Sequence, residues 1–255
     1  MIGDDEKMGR MIGQLRGAVE VAKALAEGRK LGLVLVREAA EEPGAVEVVR
    51  VARERGVPVR VASAAVLRRM TLVGPAADVL ALVGRDPGAD LAATLACGGA
   101  FWLLVGTAYP SNAGMVIRTA EGSGADGIAI DADWDHVARR TAQRTSMRAD
   151  WYMPVLWERA DTVIAAARAA GHRVFAIENT GQVLPWEADL VGPSLFVVGG
   201  EAEGIPAAVQ AQCDQVLRLP MAGFIPAYNL QAAVSVVSVE RLRQLHDAER
   251  RAPPR

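Results

Sequence analysis

The stretch Leu217-Arg-Leu-Pro-Met-Ala-Gly-Phe-Ile-Pro-Ala-Tyr-Asn-Leu-Gln-Ala-Ala-Val234 decides how the chain is read. A strand is expected to end at Leu219, because Pro220 has no N–H to give a sheet ladder. A loop holding Gly223 and Pro226 follows. A helix then starts near Asn229, with Leu230, Val234, Val237 and Leu245 on one face at helical spacing. Upstream, Phe196-Val-Val-Gly-Gly-Glu-Ala-Glu-Gly-Ile-Pro206 has the same order of strand, glycine-rich loop and helix. A third case begins with the apolar strand Phe101–Gly106 and continues Tyr109-Pro-Ser-Asn-Ala-Gly-Met-Val-Ile-Arg-Thr-Ala120. Loops of this kind in one parallel sheet lie at the carboxyl ends of its strands, where open α/β sheets bind ligands.

Working outward, residues 97–219 alternate strand and helix. Strands are expected at 101–106, 127–131, 153–156, 173–177, 194–198 and 215–219. Helices are expected at 113–121, 134–144, 160–170 and 206–212. That rhythm implies a mostly parallel sheet covered on both faces. Residues before Gly84 form a smaller α/β rhythm. It has helices from Met11 to Glu27, Ala45 to Arg55 and Ala64 to Met70, and strands at 31–36, 57–62 and 78–83. Gly84-Arg-Asp-Pro-Gly-Ala-Asp90 reads as the linker. The expected partition is 1–86, 87–250 and a fraying tail of 251–255, with fraying from Glu249.

The chain has 255 residues, 51% hydrophobic and 23% charged, the balance of an ordinary globular protein. Its formal charge of −2 gives no global attraction to nucleic acid, so such a contact needs a local patch. Arg139, Arg140, Arg144 and Arg148 are the densest basic run. The two cysteines, Cys97 and Cys213, lack a CxxC and read as buried free thiols in a reducing compartment. His136, His172 and His246 have no ligand spacing, so no metal is expected. Met1 to Arg16 carries both charge signs and is no secretory signal. No apolar run approaches the roughly 20 residues of a membrane helix. A cytoplasmic protein without membrane contact is expected.

Taken together, the three loops resemble the SpoU (TrmH-like) branch of the SPOUT RNA 2′-O-ribose methyltransferases. The block Asn-x-Gly-x-x-x-Arg-Thr-Ala stands unbroken from Asn112 to Ala120. The Gly-x-Glu-x-x-Gly loop is Gly199 to Gly204, and Leu219-Pro-Met221 with Asn229 fits the third block. The ordered set covers residues 97–247 and is far more specific than any one block. The resemblance implies a sheet tied into a trefoil knot, preceded by a small α/β RNA-binding domain. It implies methyl transfer from S-adenosyl-L-methionine to a ribose 2′-hydroxyl of rRNA or tRNA, by a homodimer whose site lies at the dimer interface. It assigns catalysis to Arg118, Asn112, Asn229 and Glu201. It assigns the cofactor to Val198, Gly199, Gly200, Gly204, Leu219, Met221, Gly223 and Leu230, and RNA contact falls to the arginine run.

The chain departs from the family pattern in places. Gln231 and Ala227 stand where serines are usual, Tyr228 replaces a leucine, and Tyr109 replaces an aspartate. Val73-Gly-Pro75 stands where the small domain usually carries His-Gln-Gly. Two other readings stay open: an RNA- or cofactor-binding protein without turnover, and a methyltransferase for a non-RNA small molecule.

Each motif residue also has a plainer reading. Asn112 suits a helix cap, Gly114 a packing glycine, and Glu201 an acid at a helix N-terminus. Glycines 199, 200 and 204 suit a turn, although glycine also admits a ligand close to the backbone. Arg118, between Ile117 and the small residues Thr119 and Ala120, is expected in an apolar setting. There it needs a partner, with Glu121 at i+3 the competitor to an RNA phosphate. Gly122-Ser-Gly-Ala-Asp-Gly127 follows a helix and precedes a strand, so it reads as a helix stop and not a dinucleotide fingerprint. The stripe Leu230, Val234, Val237 is expected to offer more apolar surface than one core covers, favouring the dimer.

Overall fold

A computed structural model describes residues 13–71, 74–225 and 227–251. Met11, Val73, Pro226 and residues 252–255, on which parts of the sequence reading rest, lie outside them. The chain divides into two compact units between Gly88 and Ala89.

The smaller unit runs β1 (Gly13–Arg16), α1 (Ala18–Ala26), β2 (Leu31–Arg37), α2 (Ala45–Glu54), β3 (Val59–Ala62), α3 (Ala64–Met70) and β4 (Val79–Val83). Its sheet order is β1-β4-β2-β3, with only β2 and β3 parallel. The expected helix from Met11 to Glu27 is instead split. Residues 13–16 pair antiparallel with β4, and Leu15 packs on this unit's core. Gly17 then turns the chain at φ 86°, a region open to glycine. Its N–H bonds Val79 O at 2.8 Å, and the Glu42 carboxylate accepts from Ala18 N at 2.6 Å to start α1. A four-residue strand is too short to show its period in sequence, and its cap comes from a distant residue.

The larger unit runs α4 (Leu91–Leu95), β5 (Ala100–Val105), α5 (Pro110–Gly122), β6 (Gly127–Asp131), α6 (His136–Thr145), β7 (Val155–Leu156), α7 (Ala160–Ala169), β8 (Arg173–Ile177), β9 (Ser194–Gly199), α8 (Ala207–Gln210), β10 (Gln215–Leu217) and α9 (Leu230–Arg251). The six strands are all parallel, in the order β10-β8-β9-β5-β6-β7. Side chains alternate between two buried faces. Phe101, Leu103, Val105, Leu195 and Val197 face α4, α7 and α8. Trp102, Leu104, Phe175, Phe196 and Val198 face α5, α6 and α9. Phe196 stacks on Phe175 at 5.5 Å and meets Trp102 at 4.9 Å. Burial on both faces explains the unbroken apolar runs of β5 and β9.

Several sequence expectations are corrected. The short helix α4, capped by Asp90 through Ala93 N at 2.8 Å, follows the expected linker in residues for which no element was expected. Helix α9 continues through Glu249 to Arg251, with basic residues in its last turn that suit the helix dipole. Leu230, Val234 and Val237 are spent inside the unit, packed with Ala113, Val116, Ile117 and Ala120 of α5, and leave no spare stripe. The apolar surface that α9 does expose is Val236 and Val239, at 42% and 64%. Cys97 and Cys213, expected to be buried, are only half-buried. Burial, reinforced by neighbouring Asp214, pushes the Cys213 thiol up to about 11, so it stays protonated and inert at neutral pH. Among the described residues no helix is long and apolar enough to cross a membrane.

Candidate active site

Strand β5 leads into α5 on one face of the sheet, while its neighbour β9 leads into α8 on the other. Such a pair of strands opens a crevice between their carboxyl ends, the switch point where doubly wound sheets bind ligands. The loops leaving β5 and β9 meet there. Gly200 N–H bonds Val105 O at 2.8 Å, and a Cβ on Gly200 would lie 2.1 Å from Gly106 O. A Cβ on Gly199 would lie 2.0 Å from the carbonyl carbon of Gly204. These glycines are therefore required by backbone meeting backbone. The expectation that Gly200 keeps open a ligand's approach path is replaced by this packing reason.

Glu201 ties the two loops together. Its carboxylate accepts from Asn112 Nδ2 at 2.5 Å and from the buried Thr107 Oγ1 at 3.5 Å. Helix α5 begins at Pro110, so Asn112 sits inside its first turn and does not cap it. Gly114 is a packing glycine: a Cβ there would meet Ala142 O of α6 at 2.5 Å. The Gly122–Gly127 segment is a helix end and a left-handed turn at Gly124, as expected.

The loop after β8 supplies a residue that the sequence did not single out. The Glu178 carboxylate accepts from Ile205 N at 2.6 Å and closes under Gly204, whose φ is 65°. A lone glutamate after a strand carries no signal of this role.

The Leu219–Asn229 segment contributes main chain. Among the described residues, no backbone N–H from Leu219 to Tyr228 has a protein acceptor. Leu219 and Leu230 are buried, Val198 is buried beneath the loop of Gly199, and Met221 is half-buried. Tyr228 OH bonds Pro220 O at 3.1 Å and draws the two ends of the loop together. Asn229 Oδ1 accepts from Gln231 N at 3.0 Å and so caps α9. The first and third blocks are joined instead by Gln231, whose Nε2 donates to Thr119 Oγ1 at 3.2 Å.

Arg118, next to Thr119 on α5, is exposed, which corrects the expectation of an apolar setting. The helix turns its small and apolar neighbours inward and the guanidinium outward. No hydrogen bond or ion pair links Arg118 to a described residue, Glu121 included. Of the arginine run, Arg139 is half-buried with its guanidinium 4.8 Å from the Trp157 ring centroid, beside Trp134. Arg148 lies over Trp151 at 5.5 Å, beyond the far end of α6. Arg140, Arg144 and Arg148 are exposed and have no acid partner among the described residues. By contrast Arg50 and Arg243, on α2 and α9, each hold two acids. Among the described residues no three His, Cys, Asp or Glu side chains gather as metal ligands.

Comparison with known proteins matches this arrangement. The family model described as the SpoU rRNA Methylase family matches residues 100–239, more than half of the chain. A 23S rRNA (guanosine-2'-O-)-methyltransferase of Pseudomonas syringae pv. tomato is 28% identical over 146 residues, 56% of this chain and 57% of that protein. An uncharacterized tRNA/rRNA methyltransferase of Mycobacterium sp. (strain KMS) is 32% identical over 161 residues, 61% of this chain and 51% of that one. The chain thus spans between half and two thirds of the length of these relatives. Among solved structures, the SpoU methyltransferase AviRb of Streptomyces viridochromogenes shares the fold at TM-score 0.58 and 23% identity, covering 93% of this chain and 91% of that one. An AdoMet-bound rRNA methyltransferase of Sinorhizobium meliloti does so at TM-score 0.57 and 24% identity, covering 94% and 89%. With the ordered blocks meeting at one crevice and the family match spanning the larger unit's sheet, this chain belongs to the SpoU rRNA methylase family.

Proposed function

We propose that this protein transfers a methyl group from S-adenosylmethionine to a ribose 2′-hydroxyl of RNA. The observation that carries the reading is that side chains stitch the three sequence blocks to one another. Glu201 joins the first block to the second, and Gln231 joins the first to the third. The names of the relatives agree with it: a 23S rRNA (guanosine-2'-O-)-methyltransferase, a SpoU methyltransferase in complex with AdoMet, and an AdoMet-bound rRNA methyltransferase.

The fit to the cofactor rests on the unspent main-chain donors of the Leu219–Tyr228 loop, which suit a ligand read largely by backbone. Val198, Gly199, Gly200, Gly204, Leu219, Met221, Gly223 and Leu230 would hold it. The cofactor supplies an electrophilic methyl group on a positively charged sulfur. The protein's own task is alignment. Glu201, held by Asn112 and Thr107, fixes the loop after β9 against the loop after β5. Arg118 grips a phosphate beside the target ribose and stabilises negative charge on the hydroxyl oxygen as its proton passes to solvent water. A guanidinium with a pKa above about 12 is a poor proton acceptor, so Arg118 is not the base.

RNA contact beyond the ribose falls to the exposed cations of α6 and to the smaller unit, which the family resemblance assigns to substrate. Affinity for RNA should fall steeply with salt. Replacing Arg140 and Arg144 together by alanine should flatten the log–log slope by roughly 1 to 1.5, at about 0.7 per lost single-strand phosphate contact. An unchanged slope would mean these arginines face only water.

The functional unit is a homodimer. Phe224 and Ile225 in the cofactor loop, Met115 on α5, and Val236 and Val239 on α9 are exposed apolar side chains that a second copy would cover. Light scattering should give twice the chain mass, and a dilute, fully active monomer would refute the dimer. An RNA substrate and two free thiols fit the cytoplasm. Transfer of a labelled methyl from S-adenosylmethionine to RNA tests the whole reading. Cofactor binding without transfer would instead favour a binding protein.

A further inference from the structure

We infer that Gln231 is a positioning residue that sets the distance between the cofactor loop and Arg118. The inference rests on the methyltransferase reading and deepens it. Helices α5 and α9 meet through Val234 and Val237 against Val116, Ile117 and Ala120. Apolar packing of this kind is non-directional. A hydrogen bond adds direction, and Gln231 makes it.

The residue is held from two sides. Its backbone N–H is taken by Asn229 Oδ1 at 3.0 Å, at the end of the cofactor loop. Its side-chain Nε2 reaches Thr119 Oγ1 on α5 at 3.2 Å and Ser235 Oγ one turn on at 3.0 Å. Ser235 spends its own proton on Gln231 O at 2.9 Å, which leaves its oxygen to accept from the amide. The amide is thereby fixed with its nitrogen toward both hydroxyls. Thr119 is the next residue after Arg118, so the link fastens the end of the cofactor loop to the backbone that carries Arg118. The family's usual serine at this position is shorter by a carbon and an amide. Glutamine spans the gap to α5 here, so the departure from the family motif marks a working residue.

The test uses shape-preserving variants. Gln231→Met keeps the volume and removes the donor, and Thr119→Val removes the acceptor. Each should slow single-turnover methyl transfer about tenfold at saturating RNA and cofactor, while the Kd for S-adenosylmethionine changes less than about threefold. The double variant should be no slower than either single one, because both break the same link. Thr119→Ser should restore the parent rate. Independently of activity, hydrogen exchange at the first turn of α9 should quicken in Thr119→Val and not in Thr119→Ser. Parent-like rates in both single variants, or rate losses that multiply in the double one, would overturn the inference. So would unchanged exchange in Thr119→Val. If the parent transfers no methyl to RNA but exchange responds as stated, the link stands and the methyltransferase reading fails alone.

Discussion

Arg118→Lys is expected to lose methyl transfer nearly as completely as Arg118→Ala, by about a hundredfold or more in single-turnover rate. S-adenosylmethionine binding should stay within a factor of about three of the parent. Lysine keeps the charge but loses the planar fork that meets two phosphate oxygens at once. If Arg118 acted only as a proton acceptor, lysine would substitute tolerably, since it deprotonates more readily. The structure favours the fork, because Arg118 is exposed and holds no partner among the described residues. Among the described residues no ion pair joins Arg118 to Glu121, which counts against the rival account of a structural pair, so Glu121→Ala should not reproduce the loss of Arg118→Ala. Near-normal transfer by Arg118→Ala would remove Arg118 from the mechanism altogether.

The second large effect is expected at Gly200. A single methyl there would press into Gly106 O, 2.1 Å away, where the loops after β5 and β9 cross. Backbone cannot rotate aside as a flexible side chain can. Gly200→Ala should therefore cost about 1–3 kcal/mol of stability or more, seen as a lowered denaturation midpoint. It should also weaken S-adenosylmethionine binding, because displacing this loop drags Glu201 from Asn112 and Thr107. A variant with parent stability and weakened binding would restore the approach-path explanation. Parent behaviour in both would mean that the crossing is looser than the structure has it.

The order of elements in the larger unit was legible because β5, β9 and α5 carry long apolar signals with clear punctuation at Gly106, Gly200 and Gly122, whereas β10 ends at Leu217, short of the expected Leu219. Strand β1 and helix α4 were not, since five residues hold less than two helical turns and four residues hold only two alternations of a strand. The stripe on α9 was read correctly as buried-type residues, but sequence cannot say how much of it one core absorbs. It was absorbed whole, and the apolar side chains that α9 leaves exposed are Val236 and Val239. At the site, the motif residues could be named but not their partners. Glu201 looked like a helix-end acid and proved to be the tie between two loops. Arg118 looked enclosed by its neighbours and proved to face out, because the direction of a side chain on a helix is fixed by what packs beside it. Glu178 and Thr107 had no sequence signal at all; their roles appear only when loops far apart in the chain are brought to one edge.

The central claim is tested most directly by supplying S-adenosylmethionine with a labelled methyl group to the protein and total RNA, then digesting the RNA to nucleosides. The account predicts label in a 2′-O-methylnucleoside, absent when Arg118→Ala replaces the parent protein. Label on a base atom, or no label in RNA from a protein that binds the cofactor, would contradict it.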